Sequence, residues 1–135
     1  MKTMPIVCAG LLASGMALAE NLEDADRFLC AAVQVQICFE TGECFAAAPW
    51  ELSMPDFVVI DTKKKSVSTT KASGENRASI FSTVEKVDGT FFLQGVESQR
   101  LFSFVIEELT GHMTVAVVRD GISVNVFGAC TDADL

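Results

Sequence analysis

Few side chains in this chain could do chemistry, and their spacing argues against it. His112 is the only histidine, so any histidine-dependent proton transfer must use it. It follows the turn residues Thr110-Gly111, and no nucleophile or orienting carboxylate stands at a spacing that would hold it. The cysteines, at 8, 30, 38, 44 and 130, contain no Cys-x-x-Cys pair, so they do not form a zinc or dithiol redox motif. Glu107-Glu108 flanks a turn, and Asp132 and Asp134 lie in a terminal tail. Neither carboxylate pair is held rigidly enough for acid-base work. Lys63-Lys64-Lys65 could attract an anion, but three lysines at a hairpin tip read as a solvated turn that also protects strand edges. No phosphate loop, nucleophile elbow, zinc-protease motif or calcium loop is present, and tyrosine is absent. The chain is not expected to be an enzyme, to bind a metal or to need a cofactor.

The cysteines make better sense as staples. Residues 1–19 have the form of an export signal: Lys2 near the start, an apolar stretch from Ile6 to Met16, and the small-x-small site Ala17-Leu18-Ala19. Cleavage there leaves a single domain from Glu20 to Leu135 and removes Cys8. Four cysteines then remain in a compartment that permits oxidation. Cys38 and Cys44 bracket Phe39-Glu40-Thr41-Gly42-Glu43, which fits a three-residue hairpin loop with Gly42 in the left-handed position. That register sets Cys38 opposite Cys44 as a close, bondable pair. By elimination Cys30 joins Cys130, tying the start of the domain to its last strand.

The whole chain carries a net charge of −8, and loss of Lys2 with the leader makes it more negative. Such a surface repels phosphate backbones, which excludes nucleic acid as a partner. After the leader no stretch approaches the roughly 20 apolar residues of a membrane span. The short leader and the lack of an Asn-x-Ser/Thr sequon point to a bacterial periplasm, with an extracellular destination as the alternative.

Stepping along the domain, Asn21 is a candidate N-cap for a short helix whose apolar side would be Leu22, Ala25, Phe28 and Leu29. From Val33 the period changes to two: Val33, Val35, Ile37 and Phe39 alternate with Gln34, Gln36 and Cys38, as a strand with one buried face requires. Trp50, in the Pro-bounded bend 48–55, is expected to plug the closed end of the fold. Phe57–Thr62 and Ser66–Lys71 read as strands joined by the lysine turn.

In the second half each turn fixes a register that carries into the next strand. Asp88-Gly89 places Val84 opposite Leu93. If Ser98-Gln99 is also a two-residue turn, Leu93 faces Phe104, and Glu97 meets Arg100 as an exposed ion pair. A four-residue loop 108–111 sets Ile106 opposite Met113, and Asp120-Gly121 sets Val117 opposite Val124. His112 then falls opposite Ala129. One face collects Ile80, Val84, Phe91, Leu93, Phe102, Phe104, Ile106, Met113, Val115, Val117, Val124 and Val126 as core. A three-residue loop at Ser98-Gln99 would swap the faces upstream of it.

The expected fold is therefore all-β: a small antiparallel up-and-down meander barrel with a short N-terminal helix, a two-sheet β-sandwich being the alternative. The opposite face mixes polar residues with Phe92, Val96, Leu101, Val105 and Phe127, a patch suited to a protein partner or a homodimer unless the N-terminal segment covers it. The alternative is a small apolar ligand inside the barrel. In architecture alone the layout resembles bacterial periplasmic lysozyme inhibitors and small lipocalin-like proteins. The inhibitors' Ser-Gly-x-x-Tyr loop and the lipocalins' Gly-x-Trp have no counterpart here, so no residue role is carried over. The resemblance implies an inhibitor-like protein or a lipocalin-like ligand binder.

Overall fold

A computed structural model describes Thr3 and residues 21–133. Apart from Thr3, the leader read over residues 1–19 lies outside the described residues. Alternating side chains and tight turns give an antiparallel, all-β sheet. Its strands are β1 (Arg27–Phe39), β2 (Cys44–Ala47), β3 (Phe57–Asp61), β4 (Ser66–Thr69), β5 (Ala78–Ile80), β6 (Thr83–Val87), β7 (Thr90–Glu97), β8 (Arg100–Glu107), β9 (His112–Arg119) and β10 (Ile122–Asp132). They lie in the order β5-β4-β3-β1-β10-β9-β8-β7-β6, with β2 paired to β1 beside that path. β1 is shared along one edge, its first half pairing with β3 and its second half with β2. Its other edge pairs with β10 along its length.

The two ends of this order are consecutive in the chain. Only Phe81 and Ser82 separate β5 from β6, and their N–H groups donate to the carbonyls of Lys65 at 2.7 Å and Gln94 at 2.8 Å. The sheet curls accordingly into a half-barrel with its core on the concave side.

The hairpin registers follow from the turns. Val84 faces Leu93, Leu93 faces Phe104, Ile106 faces Met113, Val115 faces Val126 and Val117 faces Val124. Ser98 and Gln99 both adopt left-handed backbone, with φ of 52° and 64°. A two-residue turn matching the strand twist demands this geometry, and Glu97 stands opposite Arg100. Cys38 faces Cys44, and Gly42 closes its loop at φ 91°. Both disulfides join directly opposed residues: Cys30–Cys130 with Cα atoms 4.0 Å apart, and Cys38–Cys44 at 4.1 Å. They are compatible with an exported, oxidising compartment. Among the described residues no helix is long and apolar enough to cross a membrane.

Four expectations are corrected. The N-terminal helix is absent: Asn21 accepts from the Glu23 N–H at 2.9 Å in a single turn, and Phe28 and Leu29 belong to β1. Ladder bonds on both edges of β1 outcompete one capped helical turn, because short helices nucleate poorly. Val33 is 74% exposed, because a β-bulge between Ala32 and Gln34 shifts the register against β10 and reverses the parity of β1. Ile80 is 66% exposed whereas Phe81 is 1% exposed; the irregular Phe81-Ser82 step brings Phe81 and Val84 to one side. Trp50 plugs nothing. It sits on a 3-10 turn, Pro49–Leu52, and is 75% exposed.

The closed end is filled instead by the N-terminal turn. Leu22 and Ala25 are buried beside Phe28 and Ile106. The Leu22 N–H donates to the Glu108 carbonyl at 2.7 Å, and the Phe28 and Phe91 rings meet edge-on at 5.0 Å. Lys86 secures this plug: its Nζ lies 2.5 Å from Glu108 Oε2, 3.5 Å from the Glu23 carbonyl and 5.2 Å from the Phe91 ring centre.

Candidate functional site: a hollow end and an uncharged outer face

One end of the half-barrel is packed and the other is hollow. A cavity of about 620 Å³ opens at the end that carries the Ser98-Gln99 turn, within the range of small-molecule sites. Its wall on β8, β9 and β10 is Phe102, Phe104, Met113, Val115, Val117 and Val126. Across from them stand Val58 and Val67, with Leu52 and Met54 contributed by the bend after β2. Among the described residues no polar or charged residue is fully buried; half-buried Ser68, Thr69 and Ser79 also line the hollow, and the hydroxyls of Thr69 and Ser79 are engaged by the Glu75 and Arg77 carbonyls and the Glu97 carboxylate.

The polar groups gather at the mouth: Arg77, Glu97, Arg100, Asn76, Ser98 and Asp56. Period two explains two of them. Leu93 and Gly95 face inward on β7 and Phe102 and Phe104 on β8, so Glu97 and Arg100 continue those inward rows to the lip. No ion pair joins them, contrary to expectation. The Glu97 carboxylate accepts the Ser79 hydroxyl of β5 instead. Arg77 donates from Nη1 to the Ser53 carbonyl at 3.0 Å and lies 3.9 Å from Glu75. The mouth is missed by a sequence reading that treats Glu97 and Arg100 as surface, although counting their parity from Leu93 and Phe104 would have found them. Arg77 leaves no such signal, because its loop is placed by the return of β4 to β5.

A tight backbone approach shapes one side of the hollow. A Cβ at Gly95 would stand 2.4 Å from the Phe102 ring and 2.8 Å from the Ile80 carbonyl. Glycine there lets the β5 segment cross close over β7 while Phe102 turns into the cavity.

The convex face carries the other candidate residues. Phe92, Val105, Thr114, Phe127 and Gln34 form one row across β7, β8, β9, β10 and β1. Val96, Leu101, Val118, Ser123 and Cys38 form a second. Gln94, Ser103, Ala116, Asn125 and Gln36 lie between them, so the three rows hold no charge. Phe92, Val96, Val105 and Phe127 are exposed and Leu101 is half-buried. His112, at the end of this face opposite Ala129, is exposed, and its own N–H donates to Thr110 Oγ1 at 3.2 Å. Glu107 accepts the Thr90 hydroxyl at 2.8 Å, and Glu108 meets Lys86, so the two neighbouring carboxylates have separate structural partners. Asp134 lies outside the described residues. Among those residues no three His, Cys, Asp or Glu side chains gather in a way that could hold a metal ion. No family model, curated protein or solved structure matches the chain.

Proposed function

We propose that this protein is a non-catalytic, exported binding protein, resident in a periplasm, that holds a small apolar or amphipathic molecule in the hollow end of its half-barrel. The observation that carries this reading is the contrast between the two ends. One is plugged by Leu22, Ala25 and Phe28, and the other keeps a cavity of about 620 Å³ walled by Phe, Val and Met side chains. A strand running continuously from β5 through Phe81-Ser82 to β6 would complete the wall as an up-and-down barrel, which removes free sheet edges.

Native mass spectrometry of protein recovered from the periplasm without reductant tests the reading. A monomer carrying small-molecule mass is expected, and Phe104→Trp, which enlarges a side chain on the cavity wall, should remove that mass. A bare protein that also takes up no added amphiphile would refute it.

A second reading rests on the convex face. Its uncharged rows, with Phe92, Val96, Leu101, Val105 and Phe127, suit a protein partner or a second copy, and the acidic remainder of the surface would suit a cationic partner, as for an enzyme inhibitor. Under this reading Leu101→Asp abolishes association and leaves the fold intact, whereas Phe104→Trp leaves association unchanged.

A further inference from the structure

Resting on the cavity reading above, we infer that the ligand is a single-chain amphiphile with an anionic head, held tail inward, its head at the mouth among Arg77, Arg100 and Arg119. The tail follows from the walls. The wall of Phe, Val and Met side chains is interrupted only by half-buried hydroxyls, of which Thr69 and Ser79 already donate within the protein, so a ligand group needing several hydrogen bonds would lose its water inside the hollow and recover little. Polar chemistry must therefore stay at the lip.

The head follows from the arginines, which are concentrated at this end. The chain has four, and Arg27, at the start of β1, is the one placed elsewhere. Arg77 and Arg100 line the cavity. Leu101 pairs with Val118 and Phe102 with Val117, so Arg100 and Arg119 stand one step beyond on neighbouring strands, in the inward parity of Phe102 and Val117. Neither Arg100 nor Arg119 has a side-chain hydrogen bond or ion pair among the described residues. Acidic groups are present too: Glu97 accepts the Ser79 hydroxyl, and Glu75 lies 3.9 Å from Arg77, which leaves Arg100 as the unpaired cation among the cavity-lining residues. Asp56 is an exposed carboxylate on the opposite lip. The Arg100 guanidinium on the lip of the cavity, with Arg119 one step along the neighbouring strand, offers a planar fork of donors that matches a carboxylate better than an alcohol or an ammonium.

The protein's overall charge sharpens the test. A chain of net charge −8 that took up hydrocarbon without a dedicated site would favour a cationic amphiphile and disfavour an anionic one. Decanoate and decyltrimethylammonium, below their micelle concentrations, and decanol, below its solubility limit, are titrated into the oxidised full-length domain by calorimetry. Decanoate should bind about tenfold more tightly than decanol, the size of one charge-assisted contact, with the ammonium weakest. Arg100→Gln should bring the decanoate-to-decanol ratio toward one, and Phe104→Trp should weaken both. Equal binding of decanoate and decanol, or a ratio that survives Arg100→Gln, would overturn the anionic head and leave the cavity reading standing. Binding that Phe104→Trp does not weaken would place the chain outside the hollow and overturn both, as would uptake of none of the three.

Discussion

Removing the Cys30–Cys130 bridge should cost more than removing Cys38–Cys44, by an amount the topology sets. Each joins directly opposed residues, with Cα separations of 4.0 and 4.1 Å, so native geometry does not distinguish them. The enclosed chain does: the sequence separation is 100 residues for one and 6 for the other. Loop-closure entropy in the denatured chain makes the long bridge worth about 4.7 kcal/mol and the short one about 2 kcal/mol. Burial widens the gap. Cys30 and Cys130 are buried against Phe28 and the β10 core, while Cys44 is exposed. Replacing the buried pair by alanine therefore adds about 1 kcal/mol of lost packing.

Cys30→Ala/Cys130→Ala should thus lose about 5–6 kcal/mol, close to the whole stability of a small domain, against about 2 kcal/mol for Cys38→Ala/Cys44→Ala. Urea denaturation followed by far-ultraviolet circular dichroism reads both. The slope of free energy against urea should also rise in the first variant alone, because the freed chain expands on unfolding. Equal losses, or a larger loss for the hairpin bridge, would refute the view that the β1–β10 seam is held by its long enclosed loop.

Other consequences are local. Ser98→Asn with Gln99→Gly places residues that tolerate left-handed backbone where φ is 52° and 64°, and should raise stability by about 0.5–1 kcal/mol in the same denaturation assay. Gly128→Ala would set a Cβ 2.0 Å from the Ala31 carbonyl oxygen and 2.9 Å from the Met113 methyl; a loss of about 3 kcal/mol or more is expected, seen as a collapse of thermal stability. Lys86→Met removes the partner of Glu108, whose side chain is 12% exposed against 39% for the lysine. The half-exposed lysine limits the cost to about 1–2 kcal/mol. Amide exchange at Leu22 should quicken as the plug loosens, and Lys86→Met/Glu108→Gln should recover part of the loss.

The sequence was most legible where a turn and a strict alternation could be counted together. Asp88-Gly89, Glu40-Thr41-Gly42 and Asp120-Gly121 each fix a loop length, and every register downstream is then arithmetic in steps of two. The Cys38–Cys44 disulfide followed from that arithmetic, and Cys30–Cys130 by elimination. The helix over Leu22–Leu29 was misjudged because Phe28 and Leu29 satisfy helical and strand spacing alike, and only the pairing of β1 with β3 and β10 decides between them. Trp50 was misjudged because its size suggested burial, while the plug is made by Leu22 and Ala25, small enough to leave no aromatic signature. The mouth arginines were visible as residues and invisible as a set: Arg77 and Arg100 line the same cavity only through the curl of the sheet.

Alternation failed at two places, Val33 and Phe81, and the first of these decides the chemistry of the hollow. Phe28, Cys30 and Ala32 fill the inward positions at the start of β1. An unbroken strand would turn Gln34 and Gln36 inward next, placing two amides against the cavity wall. The bulge at Val33 spends one residue outside the ladder, so that Val35 and Ile37 face the core while Gln34 and Gln36 join the convex rows. Gly128, beside the bulge, permits it, because any side chain there would strike the Ala31 carbonyl. One misaligned residue and one missing Cβ thus keep hydrogen-bonding groups out of the interior. Deleting Val33 should remove the extra residue and leave Gln34 directly after Ala32 in a regular ladder, with Val35 and Ile37 still inward and decanoate binding retained. Calorimetric titration with decanoate reads that outcome, and a loss of binding in a folded variant would show that Val33 is not the residue standing outside the ladder.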